Sequence, residues 1–134
     1  KNNSIMKKIL ALLFSLLISF NSYADWKLIA ESDYDDFFYI DLTTIQERGG
    51  YVNYWELTDL TIPLENTPIL SYTKLVQIDC IEVSRRDKVK YYYTQQMAEG
   101  DLFEQDQSPS NNWLYAPPGS VYYGLVKYVC DYVK

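Results

Sequence analysis

The sequence has 134 residues, enough for one modest domain, and its 12 basic and 18 acidic residues give a formal net charge of −6. So acidic a chain is repelled by the phosphates of nucleic acid, and we expect no nucleic-acid partner. Histidine is absent, which removes the commonest general base and the commonest zinc ligand. Because phosphate-binding and metal-binding motifs are also missing, the sequence predicts no catalytic residue, no cofactor and no metal.

The start of the chain has the pattern of an export signal. Residues 6–8 form a short basic segment, and residues 9–20 form a mostly apolar run that is shorter than the roughly 20 residues of a membrane-spanning helix. Small residues, Ser22 and Ala24, follow at the two positions that a signal peptidase reads. We therefore expect translation to start at Met6 and cleavage to follow Ala24, with no membrane span left in the exported protein.

Cleavage would remove residues 1–24 as a signal peptide region and leave residues 25–134 as a single domain. Three lysines leave with the signal, so nine basic residues oppose 18 acidic ones and the net charge becomes −9. A short signal with two lysines is typical of bacteria and predicts a periplasmic or more external location. No cysteine follows the cleavage site, so we expect no lipid anchor. In that oxidising compartment Cys80 and Cys130 can form a disulfide bond.

The exported part is dominated by strand patterns rich in aromatic and β-branched residues. The predicted strands are residues 26–31, 37–42, 51–60, 69–83 and 88–96. Gly49 and Gly50 predict a hairpin turn before the third strand, and the polar residues 84–87 predict another turn. Residues 97–118, with three prolines, are predicted to form a long acidic loop that Trp113 anchors to the domain.

The last segment, residues 120–133, fits two kinds of secondary structure. Helical spacing puts Val121, Leu125 and Val129 near one face, with Ser120 as a suitable N-cap. A strand would align alternate residues instead, and the content of tyrosine and valine favours it. Periodicity alone does not choose between them.

One segment departs from the acidic composition of the exported part. Four of its nine basic residues are Arg85, Arg86, Lys88 and Lys90, and three tyrosines follow directly: Tyr91, Tyr92 and Tyr93. Arginine and tyrosine are favoured in protein interfaces, so this segment is predicted to bind a partner protein. A solvated hairpin whose charges prevent edge-to-edge aggregation explains the same pattern.

The order of several short motifs resembles the surface-adhesin protein E family of Gram-negative bacteria. The residues that carry the resemblance are Trp26, Phe38-Tyr39-Ile40-Asp41, Tyr54-Trp55-Glu56-Leu57, Lys74, Asp79-Cys80, Arg85-Arg86, Trp113 and Cys130. They extend over nearly all of the exported part. The resemblance implies an α+β fold with an antiparallel sheet of about five to six strands and a C-terminal α-helix, tied to the sheet by a disulfide between Cys80 and Cys130.

The family resemblance also implies a function. It predicts a non-enzymatic adhesin in the periplasm or at the cell surface that binds host extracellular-matrix or serum proteins such as laminin and vitronectin. The missing anchor cysteine favours an alternative, a periplasmic structural or accessory protein without a host ligand. An enzyme that relies on carboxylates or tyrosines is a third possibility, and each of the three is compatible with a homodimer.

Overall fold

The computed structural model describes residues 2–18 and 24–134. Its helices are α1 (Asn2–Ile18) and α2 (Val121–Tyr132), and two short 3-10 turns cover Leu42–Thr44 and Gln96–Ala98. Its strands are β1 (Trp26–Glu31), β2 (Phe37–Asp41), β3 (Gln46–Arg48), β4 (Tyr51–Asp59), β5 (Ser71–Asp79), β6 (Ser84–Tyr93), β7 (Leu102–Asp106) and β8 (Leu114–Tyr115).

Helix α1 contains the basic segment and most of the apolar run of the predicted export signal. Ser22 lies outside the described residues, so cleavage after Ala24 stays a prediction. No helix among the residues that the structure describes is long and apolar enough to cross a membrane.

One antiparallel sheet organises residues 24–134. Its main strand order is β1-β2-β4-β5-β6-β7. Two short strands extend it, because β3 pairs with β4 next to β2 and β8 pairs with β6 next to β7. The predicted α+β class, with an antiparallel sheet and a C-terminal helix, is therefore confirmed, and so is the hairpin at Gly49 and Gly50, where Arg48 pairs with Tyr51.

Helix α2 covers one face of the sheet and forms the core with it. The fully buried members of this core include Leu125, Val126 and Val129 on the helix and Ile40, Val52, Tyr54, Val76 and Ile78 on the sheet. The N-cap is Ser120, whose side-chain oxygen accepts a hydrogen bond from the backbone N–H of Tyr123 at 3.1 Å. Burying one aliphatic side chain stabilises a fold by about 1.5–3 kcal/mol, so contact with the sheet resolves the C-terminal ambiguity in favour of a helix.

The disulfide joins the two layers of the fold. Cys80 follows β5, Cys130 lies in α2, and their Cα atoms are 5.8 Å apart across the bond. Both cysteines pack against the core. The predicted pairing is confirmed, and the bond holds the last turns of α2 against the end of β5.

The predicted turn at residues 84–87 is wrong, because the chain turns earlier, at residues 80–83. The Asp79 carboxylate accepts hydrogen bonds from the backbone N–H groups of Ile81 and Glu82, at 3.0 and 3.2 Å, which ends β5 there. Strand β6 then starts at Ser84, which is buried. The basic residues therefore lie along a strand and not at a hairpin tip.

The predicted loop over residues 97–118 is also wrong in part, since it contains β7 and β8. Strand β7 pairs with β6, from Lys90 opposite Asp106 to Tyr93 opposite Leu102. All five side chains of β7 are exposed. A strand with no buried face lacks the alternation of apolar and polar residues that reveals strands in a sequence.

We expect loss of the disulfide to destabilise the fold. A Cys80→Ala/Cys130→Ala variant should lose about 2–5 kcal/mol of unfolding free energy, because the bond closes a long loop and restricts the unfolded chain. Urea unfolding followed by circular dichroism measures this loss. Native protein under a reducing agent serves as a control and should lose a similar amount, whereas equal stability of the oxidised protein and the double variant would contradict the prediction.

Candidate functional site

Side chains of the central strands alternate between a face covered by α2 and an opposite face, which we call the open face. On β4, Val52 and Tyr54 pack against α2, so Tyr51 and Trp55 lie on the open face. The predicted partner-binding residues lie on β6 and are divided between the two faces by the same alternation.

Arg85 lies on the helix-covered face and is only 3% exposed. Its Nη1 and Nη2 atoms donate hydrogen bonds to the two carboxylate oxygens of Glu56, at 3.2 and 2.6 Å. Glu56 is itself 1% exposed, and the Arg85 guanidinium lies 4.2 Å from the ring centre of Tyr122. Arg85, one of the predicted partner-binding residues, is therefore buried, and its charge is paired in the interior.

Asp87 connects Arg85 to two lysines. Its carboxylate oxygens lie 3.2 Å from Nζ of Lys74, 3.6 Å from Nζ of Lys90 and 3.6 Å from Nη2 of Arg85. We call Glu56, Lys74, Arg85, Asp87 and Lys90 the ion cluster. Lys90 thus forms an ion pair with Asp87 on the helix-covered side of the sheet.

The ion cluster shifts the pKa values of three of its members, Asp87, Arg85 and Lys74. Burial by itself acts to raise the pKa of Asp87, but Lys74 and Arg85 hold this pKa below its ordinary value. Burial likewise acts to lower the pKa of Arg85 and that of Lys74. The Glu56 carboxylate nevertheless raises the pKa of Arg85, and Tyr122 and Asp87 raise that of Lys74.

Arg86 lies on the open face. Its Nε donates a hydrogen bond to the Gln77 side-chain oxygen at 2.8 Å, and its guanidinium lies 4.5 Å from the ring centre of Trp113. The Trp113 ring in turn contacts that of Tyr51, with centres 5.2 Å apart. Trp113 therefore anchors the segment before β8 to the sheet, as predicted.

The three tyrosines of β6 also divide between the faces. Tyr91 stacks on Trp55 on the open face, with ring centres 5.9 Å apart and an angle of 17° between the rings. Tyr92 contacts Tyr72 on the helix-covered side, with centres 5.7 Å apart. Tyr93 lines the same groove as Tyr91 and Trp55, a depression of about 340 Å³ that Trp26 also borders.

Trp26 and Trp55 are not among the partner-binding residues predicted from the sequence. The alternation within β4 could have assigned Trp55 to the face opposite the core, but the contact with Tyr91 depends on pairing across β5. Lys88 sits at an irregularity in the β5–β6 pairing and forms no ion pair with any residue that the structure describes.

The end of the open face away from Trp113 is covered by the 3-10 turn Gln96–Ala98. The backbone N–H of Met97 donates to the Asp59 carboxylate at 2.7 Å, and that of Ala98 donates to the Ser71 hydroxyl oxygen at 3.0 Å. These bonds hold the turn against β4 and β5. The aromatic groove thus lies between Trp113 at one end of the open face and the 3-10 turn Gln96–Ala98 at the other.

Two further cavities lie away from the open face. One, of about 440 Å³, runs along the disulfide between α2 and the turn at residues 80–83. The other, of about 130 Å³, lies over the ion cluster beside Tyr122. Within residues 2–18 and 24–134, no group of three or more His, Cys, Asp or Glu side chains could hold a metal ion.

Comparisons with known proteins point to one group. The family model described as surface-adhesin protein E matches residues 26–131. Crystal form II of Haemophilus influenzae protein E is similar in structure, with a TM-score of 0.66 and 15% identity over 85% of this chain and 94% of that one. A second structure of that protein has a TM-score of 0.62 and 14% identity over 84% and 88%. At such identities the likeness concerns the fold, and no curated protein matches the sequence significantly.

We expect Arg85 and Arg86 to differ sharply in their effect on stability. Arg85→Ala should lower the free energy of unfolding by about 3–5 kcal/mol, because it leaves the Glu56 carboxylate buried without a partner. Arg86→Ala is the matched control, with the same loss of charge one position away, and should cost about 1 kcal/mol. Urea unfolding measures both, and similar losses would argue against the buried pair.

Asp87 should make stability depend on acidity. Its pKa is lower in the folded than in the unfolded protein, where it is near 3.8. Its stabilising effect is therefore fully present above that value and is lost as the pH falls through the lower folded-state pKa. We expect the unfolding free energy of Asp87→Asn to fall less than that of the native protein from about pH 5 to pH 2. Asp33→Asn, in an exposed turn, is the control for the loss of one negative charge.

Proposed function

The chain belongs to the surface-adhesin protein E family, and from this we propose that it is an exported, non-enzymatic domain that binds host extracellular-matrix or serum proteins of the laminin or vitronectin type. The observation that carries the proposal is the family match, which extends over residues 26–131. The predicted export signal is consistent with this role, since a partner outside the bacterium requires an exported domain.

The open face is the surface that suits such a partner. It presents Arg86 beside Trp113 and, further along β6, Tyr91 and Tyr93 beside Trp55. Tyrosine and tryptophan offer a large contact area with few rotatable bonds, so ordering them on binding costs little entropy. The Arg86 guanidinium is already oriented by Gln77 and Trp113, which further reduces that cost.

In this proposal only four of the seven predicted residues touch a partner. We assign the contact to Arg86, Lys88, Tyr91 and Tyr93. The remaining three, Arg85, Lys90 and Tyr92, contact residues on the helix-covered side, so their role in this proposal is to hold β6 in position.

Charge gives the open face a preference among partners. Arg86 lies on the open face and Lys88 follows two residues further along β6, and both are cations in a domain whose net charge without residues 1–24 is −9. An acidic segment of a partner would be repelled by most of the surface and attracted to these two side chains. Exposed charges are screened by salt, so the association rate should fall as ionic strength rises.

We expect an Arg86→Ala/Lys88→Ala variant to bind immobilised laminin or vitronectin roughly tenfold more weakly than the native protein, mainly through slower association. Surface plasmon resonance at low and high salt measures the effect. The matched control is Lys127→Ala/Lys134→Ala, which removes the same charge from the α2 side and should bind like the native protein. A folded Tyr91→Ala variant tests the aromatic part of the contact and should dissociate faster.

Two outcomes would count against the proposal. Unchanged affinity of the Arg86→Ala/Lys88→Ala variant for a confirmed partner would show that another surface makes the contact. Absence of binding to every matrix and serum protein tested, together with confinement to the periplasmic fraction, would instead support a periplasmic structural or accessory role.

A further inference from the structure

The cavity of about 130 Å³ over the ion cluster has a polar wall and an apolar wall. Lys74, Arg85 and Asp87 line the polar side. Leu114, Pro117 and the Tyr122 ring line the other side, where the segment around β8 approaches the start of α2. The cavity is separate from the open face and from the groove along the disulfide.

The ion cluster holds more positive than negative charge. It contains three cations, Lys74, Arg85 and Lys90, but only two carboxylates. Arg85 engages both oxygens of Glu56, at 3.2 and 2.6 Å, so this carboxylate is committed. Asp87 contacts both lysines; Lys90 is 32% exposed and lies opposite Asp106 on β7, whereas Lys74 is 13% exposed and lines the cavity.

Lys74 is the lysine of the ion cluster that lines the cavity and can bind a further hydrogen-bond acceptor there. Its side chain is 13% exposed, and Asp87 is the one carboxylate that it contacts among the residues described. Its other close neighbours are the rings of Tyr72 and Tyr122, whose centres lie 5.3 and 5.9 Å from Nζ. An ammonium group has several N–H donors, so Lys74 keeps hydrogen-bonding capacity that these neighbours do not use.

A second buried donor lies close to the ion cluster. The Tyr54 hydroxyl is fully buried and has no hydrogen-bond partner among the described residues. Burial raises the pKa of Tyr54 well above its ordinary value, and Glu56 raises it further, so this group remains a neutral donor. Tyr54 is not among the residues that line the cavity, so the charged side of the cavity depends on Lys74, Arg85 and Asp87.

We propose that this cavity binds one carboxylate group that is attached to a short apolar stem. The lining holds two cations, Lys74 and Arg85, and one carboxylate, Asp87, so it suits a monoanion better than a phosphate dianion. Its volume is below the roughly 300 Å³ at which pockets begin to enclose drug-sized ligands, so it accepts a single group. The apolar wall suits the stem. The carboxylate belongs either to a free short-chain acid or to an acidic side chain of a peptide.

Nuclear magnetic resonance of the full isotope-labelled chain tests this directly. Sodium propionate should shift the backbone signals of Lys74, Arg85, Asp87 and Tyr122 in a saturable way. Propionamide has a similar shape but no charge and should not. A capped Ala-Glu-Ala peptide is the second ligand in the same titration. Tighter binding of the peptide identifies a peptide carboxylate as the natural group, whereas tighter binding of propionate identifies a free acid.

Two variants separate a ligand site from a structural ion cluster. Lys74→Met should weaken propionate binding by about 10- to 100-fold, since a hydrogen bond to a charged group is lost. Ala116→Leu fills the cavity without altering a charge and should have a similar effect. Lys74→Arg keeps the charge and should bind, and Lys127→Met, on the exposed side of α2, is the control with unchanged affinity.

The proposal is wrong if neither propionate nor the peptide gives saturable shifts around the cavity, which would indicate a cavity that holds water only. It is also wrong if propionamide competes with propionate, or if folded Lys74→Met and Ala116→Leu bind like the native protein. If these variants fail to fold, the comparison of propionate with propionamide on the native protein still tests whether the cavity binds a carboxylate. Because Ala116 is remote from the open face, failure here leaves the binding of matrix proteins unaffected.

Discussion

The buried ion pair between Arg85 and Glu56 is the interaction on which the central sheet depends. Arg85 on β6 reaches across β5 to Glu56 on β4, so one contact joins three strands. A shift of β6 that brings Ser84 into the place of Arg85 would leave the Glu56 carboxylate buried alone, at a cost of several kcal/mol. A well-packed apolar pair could give similar stability, so the pair matters chiefly because it disfavours this alternative register.

The two faces of the sheet consequently have different roles. With Arg85 turned towards α2, alternation along the strand turns Arg86 towards the open face, where Gln77 and Trp113 orient it. The helix-covered face gathers the hydrophobic core and the ion cluster. The open face keeps half-buried aromatic rings. The residues that stabilise the fold and those proposed to contact a partner are thus neighbours in the sequence but lie on opposite sides of the sheet.

The disulfide and two short segments are attached to the two faces of the sheet. The bond between Cys80 and Cys130 holds α2 on the sheet, while Trp113 and the 3-10 turn Gln96–Ala98 close the two ends of the open face. A rigid surface loses little conformational entropy when it binds, which favours recognition through a modest set of aromatic and charged contacts. Strand β8 pairs with β6, and this pairing positions it beside the start of α2, where both line the small cavity over the ion cluster.

Local features of the sequence were sufficient for the positions of β1, β2 and β4, the hairpin at Gly49 and Gly50, the disulfide and the family resemblance, but not for the turn between β5 and β6. Each depends on neighbouring residues or on simple counts: aromatic and β-branched runs form strands, paired glycines form tight turns, and two cysteines outside the cytosol pair. The helix at residues 120–133, the strands β7 and β8 and the burial of Arg85 were decided by the tertiary structure. A helical and an extended C-terminal segment have similar local preferences, and burial of Leu125 and Val129 against the sheet separates them. Arg85 and Arg86 are chemically identical in the sequence, and only the position of Glu56 two strands away makes one an interior ion and the other a surface group.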